Sequence, residues 1–317
     1  MDTKSITSDA QLQVAAADRI PFVVNGTEVA ALEADGTGSG LLSRNPAMRG
    51  TYYYVDPTDG NDSHTGLSWT AAFKTLQAAI DACTNYAGDV ITCAKGTETV
   101  TATVAFNKDG IIVRPAVYGM DSYNMGEHFT VWADAAFTDG PVATITKPCT
   151  IAGLGFSSRW AAGSAVYVNG EGGGFAGGFA HLLGCRFPGW GGETYGVDFD
   201  AGAYNLVEAC HFDAAFTAAV YFGPSASNNP AENEVRGCRF TGVTYAIEHA
   251  AAGTPGTFLY KGNVVVGGKF LNVNAAACNG LVADNWFGTA TNATTYSDTV
   301  VALKALGVTF SGNHYSE

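Results

Sequence analysis

One short phrase returns six times in the second half of this chain, and it limits the possible folds more than any other feature. HLLGCRF (181–187), NLVEACHF (205–212), NEVRGCRF (233–240), FLYKGNV (258–264), GLVADNWF (280–287) and VTFSGNHY (308–315) follow one pattern. An apolar residue is followed by two variable positions, a Cys or Asn, one variable position and a large apolar residue; in the fourth phrase that last residue is Val265. The Cys/Asn slot falls at Cys185, Cys210, Cys238, Asn263, Asn285 and Asn313, so subtraction gives intervals of 25, 28, 25, 22 and 28 residues. Such periods lie in the range of stacked β repeats.

A second phrase is interleaved with the first. Ala165–Val168, Gly196–Phe199, Ala219–Phe222, Ala246–His249, Phe270–Val273 and Val300–Leu303 alternate over four residues. Period-two alternation reads as a strand with one buried face. Each repeat therefore holds about three short strands: one before the Cys/Asn slot, one after it, and the alternating one. A single repeat cannot bury its apolar face, but stacked repeats share a continuous core.

These phrases resemble the right-handed parallel β-helix of the pectate-lyase-like superfamily over roughly residues 50 to 317. The resemblance implies an all-β, single-stranded parallel helix of at least seven turns. It also implies that the Asn of one turn stacks on the Asn of the next. Asn tolerates the left-handed backbone of a tight turn and can satisfy its neighbour's amide. Cys lacks that second capacity, so the Cys half of the column is expected to pack through sulfur rather than hydrogen bonds. The superfamily hosts lyases, hydrolases and inert fibres, so the architecture leaves activity open.

Composition narrows the partners. Gly supplies 40 of 317 residues and charged residues 14%, which suits many short strands and tight corners. The formal charge is −13, without Lys/Arg runs. That argues against nucleic acid or an anionic membrane as partner. The opening MDTKSITSDA is polar and lacks the basic and apolar regions of a signal peptide, and no apolar run is long enough to span a membrane. The seven Cys are then expected as free, buried thiols, with Cys185, Cys210 and Cys238 stacked one per turn.

In chain order, residues 1–18 are polar and Ala-rich. RIPFVVNGTEVAALEADGTG follows, with alternating Ile20, Phe22 and Val24, an Asn25-Gly26 turn and a return through Val29 and Ala31. It resembles a small β element of bacteriophage tail fibres and tailspikes, which implies an attachment or oligomerisation segment over 1–36. The Gly/Ser-rich residues 37–50 read as a linker. Residues 51–88 give an opening strand at Tyr52–Val55 and an amphipathic helix. Phe73, Leu76, Ala79, Ile80 and Cys83 lie on one helical face, with Ser68 or Thr70 as cap. Similar β-helices cover their open end with such a helix. Between these elements Asp56, Asp59, Asn61 and Asp62 read either as an Asx-rich turn or as oxygen donors to Ca²⁺, the turn being favoured. The body occupies 89–317. Residues 117–140, with Met120, Met125, His128 and Trp132, read as an excursion, and the Gly-rich 169–179 has no Lys and no helix to make a phosphate loop.

Chemistry concentrates in one column of the alternating strands: Tyr167, Asp198, Tyr221, Glu248 and Asn272. If Val168, Phe199, Phe222 and Val273 face the core, the pleat turns this column outward; an inward Val166 column then requires a corner just before the strand. Asp198 and Glu248 stand two rungs apart, about 9.6 Å between backbones. That is near the roughly 6.5–9.5 Å carboxyl separation of inverting glycosidases. Asp198 and Glu248 are the candidate catalytic pair, and Tyr167, Tyr221 and Asn272 the candidate glycan contacts. A second column runs Arg186, His211, Arg239, Val264, Trp286, His314. It lacks the acidic Ca²⁺ ligands that a pectate-lyase-like mechanism needs beside its arginines. Glu208 and Arg236 read as a cross-rung ion pair, worth at most about 1 kcal/mol. No residue set calls for a cofactor or a metal.

The phage resemblance implies a virion structural protein made in the host cytoplasm: a tail fibre, tailspike or capsid-attached fibre. Its body would contact host-surface polysaccharide, and its partners would be other virion proteins. One alternative is a glycoside hydrolase or polysaccharide lyase on the same body, and a second is a purely structural adaptor. No amphipathic element follows Tyr315, so the last coil is expected to be covered in a homo-oligomer, most simply a trimer.

Overall fold

The computed structural model describes residues 19–24, 27–33, 50–116, 128–137, 140–157, 163–169, 180–189, 193–200, 204–213, 216–223, 233–249, 257–273, 279–288, 304–305 and 307–315. The chain forms two compact units, residues 1–50 and 51–317. In the first, Arg19–Val24 and Thr27–Glu33 pair antiparallel, with a register shift between Phe22 and Val23; the expected Asn25-Gly26 turn lies outside the described residues. The 1–18 segment and the 37–49 linker lie outside the described residues.

The second unit is an all-β parallel β-helix built from three sheets. Sheet I has ten strands, from Tyr52–Val55 to Val308–Ser311. Among the described residues sheet II has nine, from Gly96–Val100 to His314–Tyr315, and sheet III seven, from Val104–Phe106 to Lys269–Val273; the expected strand Val300–Leu303 lies outside the described residues. The chain visits the sheets in turn. Leu206–Glu208, His211–Asp213 and Ala218–Phe222, for example, lie in sheets I, II and III. Every coil pairs in parallel with the next, so its backbone groups are satisfied by neighbours about 4.8 Å away. Trp132, expected in an excursion, instead lies in the sheet II strand Phe129–Ala133, paired with Ser157. Residues 117–127 lie outside the described set.

Repetition makes the core columnar. Phe187 and Phe212 stack at 4.6 Å with 6° between planes, and Phe212 and Phe240 at 5.1 Å. Phe199, Phe222 and His249 form a second inward stack at 5.1 and 4.8 Å. His249 replaces a Phe in this column. Its Nε2 lies 2.5 Å from the Tyr260 hydroxyl, and burial lowers its pKa to about 3, so it is a neutral core residue.

The slot column explains the repeat. Each slot residue donates to the carbonyl at one register position of the preceding coil. The Asn263, Asn285 and Asn313 Nδ2 groups donate to the oxygens of Val235, Tyr260 and Val282 at 2.9, 3.1 and 3.0 Å. The thiols of Cys185, Cys210 and Cys238 donate to Ile151, Leu182 and Val207 at 3.4, 3.3 and 3.4 Å. These cysteines, expected to pack more by sulfur than by hydrogen bonds, do supply the donor half of the Asn contact through the thiol, while the amide-accepting half is seen at Asn slots. They are free and buried. The left-handed residue also falls one place earlier than expected. Gly184, Ala209, Gly237, Gly262, Asp284 and Gly312, each just before the slot, have φ of 60°, 52°, 61°, 67°, 55° and 63°. A Cβ at Gly184 would meet nothing within 4 Å, so backbone conformation, not space, favours glycine here.

The α-helix spans Leu76–Ala82, shorter than expected, because Thr75 is its cap, accepting from the Ala78 amide at 3.2 Å. Ser68 precedes a separate 3-10 turn at Trp69–Ala71. Leu76, Ala79 and Ile80 bury into the common core. The helix also bonds to the first strand of each sheet. Tyr53 donates to the Ala82 carbonyl at 2.9 Å, the Leu76 amide to Glu98 at 2.8 Å, and the Ala105 amide to Gln77 at 2.8 Å. Glu98 occupies the inward position in register with Val131 and Phe156, and burial raises its carboxyl to about 7.

Candidate functional site

The candidate column sits on the outer face of sheet III. Tyr167, Asp198, Tyr221, Glu248 and Asn272 pair in unbroken register across five coils. The coil turns a corner just before each of these positions. Ala165 and Val166 are both buried, as are Gly196 and Val197, Ala219 and Val220, and Ala246 and Ile247. A Cβ on Gly196 would strike the Phe212 ring at 2.8 Å, which places this backbone against the core. The corner brings a further outward position into play, holding Ser164, Tyr195, Ala218, Tyr245 and Lys269 in register.

The two columns interlock. Tyr195 and Tyr221 stack with ring centroids 4.0 Å apart and 8° between planes. Ser164 donates to Asp198 Oδ2 at 3.1 Å. Tyr167 donates to Asp200 Oδ2 at 2.9 Å, and Asn272 Nδ2 to Glu248 Oε1 at 2.8 Å. The Lys269 ammonium lies 5.3 Å over the Tyr245 ring. Lys269 is exposed and the other side chains are buried or half-buried, so the face is a half-buried ladder rather than a solvated strand surface.

Burial sets its electrostatics. Asp198 is raised to about 6, chiefly by burial, against the lowering effect of the Ser164 hydroxyl and with a smaller push from Asp200. Tyr167 is raised by burial and by its bond to Asp200, and Tyr195 and Tyr221 by burial. The phenols are therefore neutral donors across the physiological range. Asp198 and Glu248 stand two coils apart, about 9.6 Å between backbones, with Tyr221 between them. Sequence reasoning did not single out Tyr195, Asp200 or Ser164. Tyr195 and Ser164 lie beyond the corner, where simple alternation loses phase, and Asp200 follows the end of its strand.

The outer face of sheet II brings Arg186, His211, Arg239, Val264, Trp286 and His314 into one column, as the repeat requires. Asp213, in the adjacent column, accepts from Arg186 Nε and Nη2 at 3.1 and 2.8 Å and lies 3.7 Å from His211. On sheet I, Arg236 bridges Glu208 at 3.1 Å and Glu234 at 3.2 Å, the expected cross-rung pair in exposed form. In the 56–66 loop Asp56 and Asn61 hold local turns and Asp62 ties the loop to the residues before the helix. Asp56 accepts from the Thr58 and Asp59 amides, Asn61 from Ser63, and Asp62 from the Lys74 and Thr75 amides.

No family model matches this chain, and no curated protein matches it. Solved structures do. A mannuronic-acid-specific polysaccharide family 6 lyase from human gut microbiota aligns over 83% of this chain and 59% of its own, at 14% identity and a TM-score of 0.56. The GH136 lacto-N-biosidase from Eubacterium ramulus aligns over 84% of this chain and 55% of its own, at 12% identity and a TM-score of 0.53. At these identities the likeness is one of fold. This chain spans little more than half the length of either enzyme. Both are polysaccharide- or glycan-acting enzymes, and neither supports the likeness to phage fibres suggested by the sequence.

Proposed function

We propose that this protein acts on a polysaccharide along the outer face of sheet III, as a glycoside hydrolase with Asp198 as general acid and Glu248 as general base. The observation that carries the reading is the placement of a half-buried carboxyl, raised to about 6, in one outward column with a second carboxyl two coils on. Asp198 would give its proton to the glycosidic oxygen as the bond from that oxygen to the sugar's anomeric carbon breaks. Glu248 would take a proton from water as the water oxygen bonds to the same carbon from the opposite side. Tyr221, held by its stack on Tyr195, would contact sugar rings, with Tyr167 and Asn272 as hydrogen-bonding contacts. The polysaccharide lyase and the GH136 lacto-N-biosidase of similar fold support a carbohydrate substrate. The test is incubation with a panel of polysaccharides, following chain length by size-exclusion chromatography. Cleavage that disappears in both Asp198→Asn and Glu248→Gln supports the assignment, whereas cleavage that survives either change removes it.

A second reading keeps the same face for glycan contact without cleavage, on a trimeric bacteriophage fibre mounted with other virion proteins through residues 19–33. The separate antiparallel hairpin favours it. Mass photometry separates the two readings: a monomer at micromolar concentration that shortens polysaccharide chains removes the fibre.

A further inference from the structure

The charges on the sheet III face say what kind of sugar it would accept. Asp198 and Asp200 lie on one coil and Glu248 two coils on, with Tyr221 of the stacked Tyr195–Tyr221 pair on the coil between them. Among the described residues of the five strands from Gly163–Val168 to Lys269–Val273, Lys269 is the cation on this face. Its ammonium is already set over the Tyr245 ring. Lys147 follows a strand two coils before Asp198. The arginines of the repeats point elsewhere: Arg186 and Arg239 on sheet II, Arg236 on sheet I. Carboxylates on the other two sheets, Asp213, Glu208 and Glu234, are paired with these arginines, whereas those beside the tyrosine pair have no guanidinium among the described residues of their strands.

We infer that the glycan taken by this face is uncharged, an inference that rests on reading sheet III as the polysaccharide site. One coil advances about 4.8 Å, close to the length of one sugar unit, so a chain lying along the column would set successive sugars over successive coils. A uronate at any of these positions would bring a carboxylate against Asp200 or Glu248, half-buried and with no guanidinium to offset it. Partial desolvation strengthens that repulsion. A neutral sugar meets groups suited to it: tyrosine rings for its apolar face, and carboxylates, Tyr hydroxyls and the Asn272 amide for its hydroxyls.

The experiment compares the full chain on immobilised neutral polysaccharides (β-glucan, galactan and mannan) with the same polymers oxidised at C6 to uronates. The expected result is retention on at least one neutral polymer, at least tenfold weaker retention on its oxidised form, and loss of retention in Tyr221→Ala but not Tyr221→Phe. The paired change Asp200→Asn and Glu248→Gln should narrow the gap between neutral and oxidised forms. Equal or stronger binding to the oxidised polymer, still abolished by Tyr221→Ala, overturns the inference while the polysaccharide reading stands. Binding to none of the polymers, or binding indifferent to Tyr221→Ala, overturns both.

Discussion

Asn263 tests whether the slot ladder holds the coils together. Its side chain is fully buried. Nδ2 donates to the Val235 carbonyl at 2.9 Å and to Asn285 Oδ1 at 3.0 Å, while Oδ1 accepts from the Cys238 amide at 2.9 Å. Asn263→Ala leaves the Cys238 amide and a Val235 lone pair buried without partners; Asn285 Oδ1 keeps the Asn263 backbone amide at 2.8 Å. Two orphaned groups at about 1–3 kcal/mol each give a loss of about 2–6 kcal/mol. Asn263→Cys should cost about half as much, because a thiol in this slot reaches the same carbonyl position, as Cys238 reaches Val207 at 3.4 Å. Urea unfolding of the three proteins ranks their stabilities. Hydrogen exchange at the Cys238 amide gives a local readout that does not depend on two-state behaviour. A loss below about 1 kcal/mol in Asn263→Ala, with Cys238 protection unchanged, would refute the ladder as a source of stability. Equal losses for Ala and Cys would refute the equivalence of thiol and amide.

Three further outcomes follow. Ala209 has φ 52° where most coils place glycine, so Ala209→Gly should stabilise by about 1 kcal/mol, and unchanged or lower thermal stability would contradict the strain argument. His249 is neutral when folded, with its pKa lowered from 6.5 to about 3, so the unfolded chain gains a proton the folded one refuses. Its contribution is present above pH 6.5 and is lost as pH falls toward 3, at up to about 1.4 kcal/mol per pH unit. His249→Phe combined with Tyr260→Phe should flatten the fall in melting temperature between pH 6.5 and 4, and parallel slopes in the two proteins would count against it. If Asp198 is the general acid, cleavage should decline as pH rises through about 6, where its proton is lost; a rate that climbs through that range assigns the acid elsewhere.

The body was legible because its information is repeated. Six copies of the slot phrase fixed which residues of sheets I and II stack on which, and the Tyr167–Asn272 column followed from the interleaved alternating phrase. What stayed hidden depends on features that occur once or lie between repeats. The corner before each sheet III strand lets two successive residues such as Gly196 and Val197 face inward, which shifts Tyr195 onto the face that Tyr221 occupies. Helical periodicity pointed to Phe73 as part of the helix, but Phe73 bridges to Val55 and the helix waits for the Thr75 cap. No repeated pattern marked Glu98, a single acid that faces inward to take the Leu76 amide.

The left-handed residue and the slot beside it fix more than a turn. From Val207 to Cys210 to Phe212, and from Val282 to Asn285 to Phe287, the count never changes, although whole intervals run from 22 to 28 residues. All the variation in length therefore falls outside that corner, in the segments that lead to and from sheet III. The invariant corner works as an axle. Segments bordering the Tyr–Asp–Glu face can lengthen, shorten or be exchanged without shifting a single rung, so a lineage of such chains could reshape that face while leaving untouched the part that makes it fold.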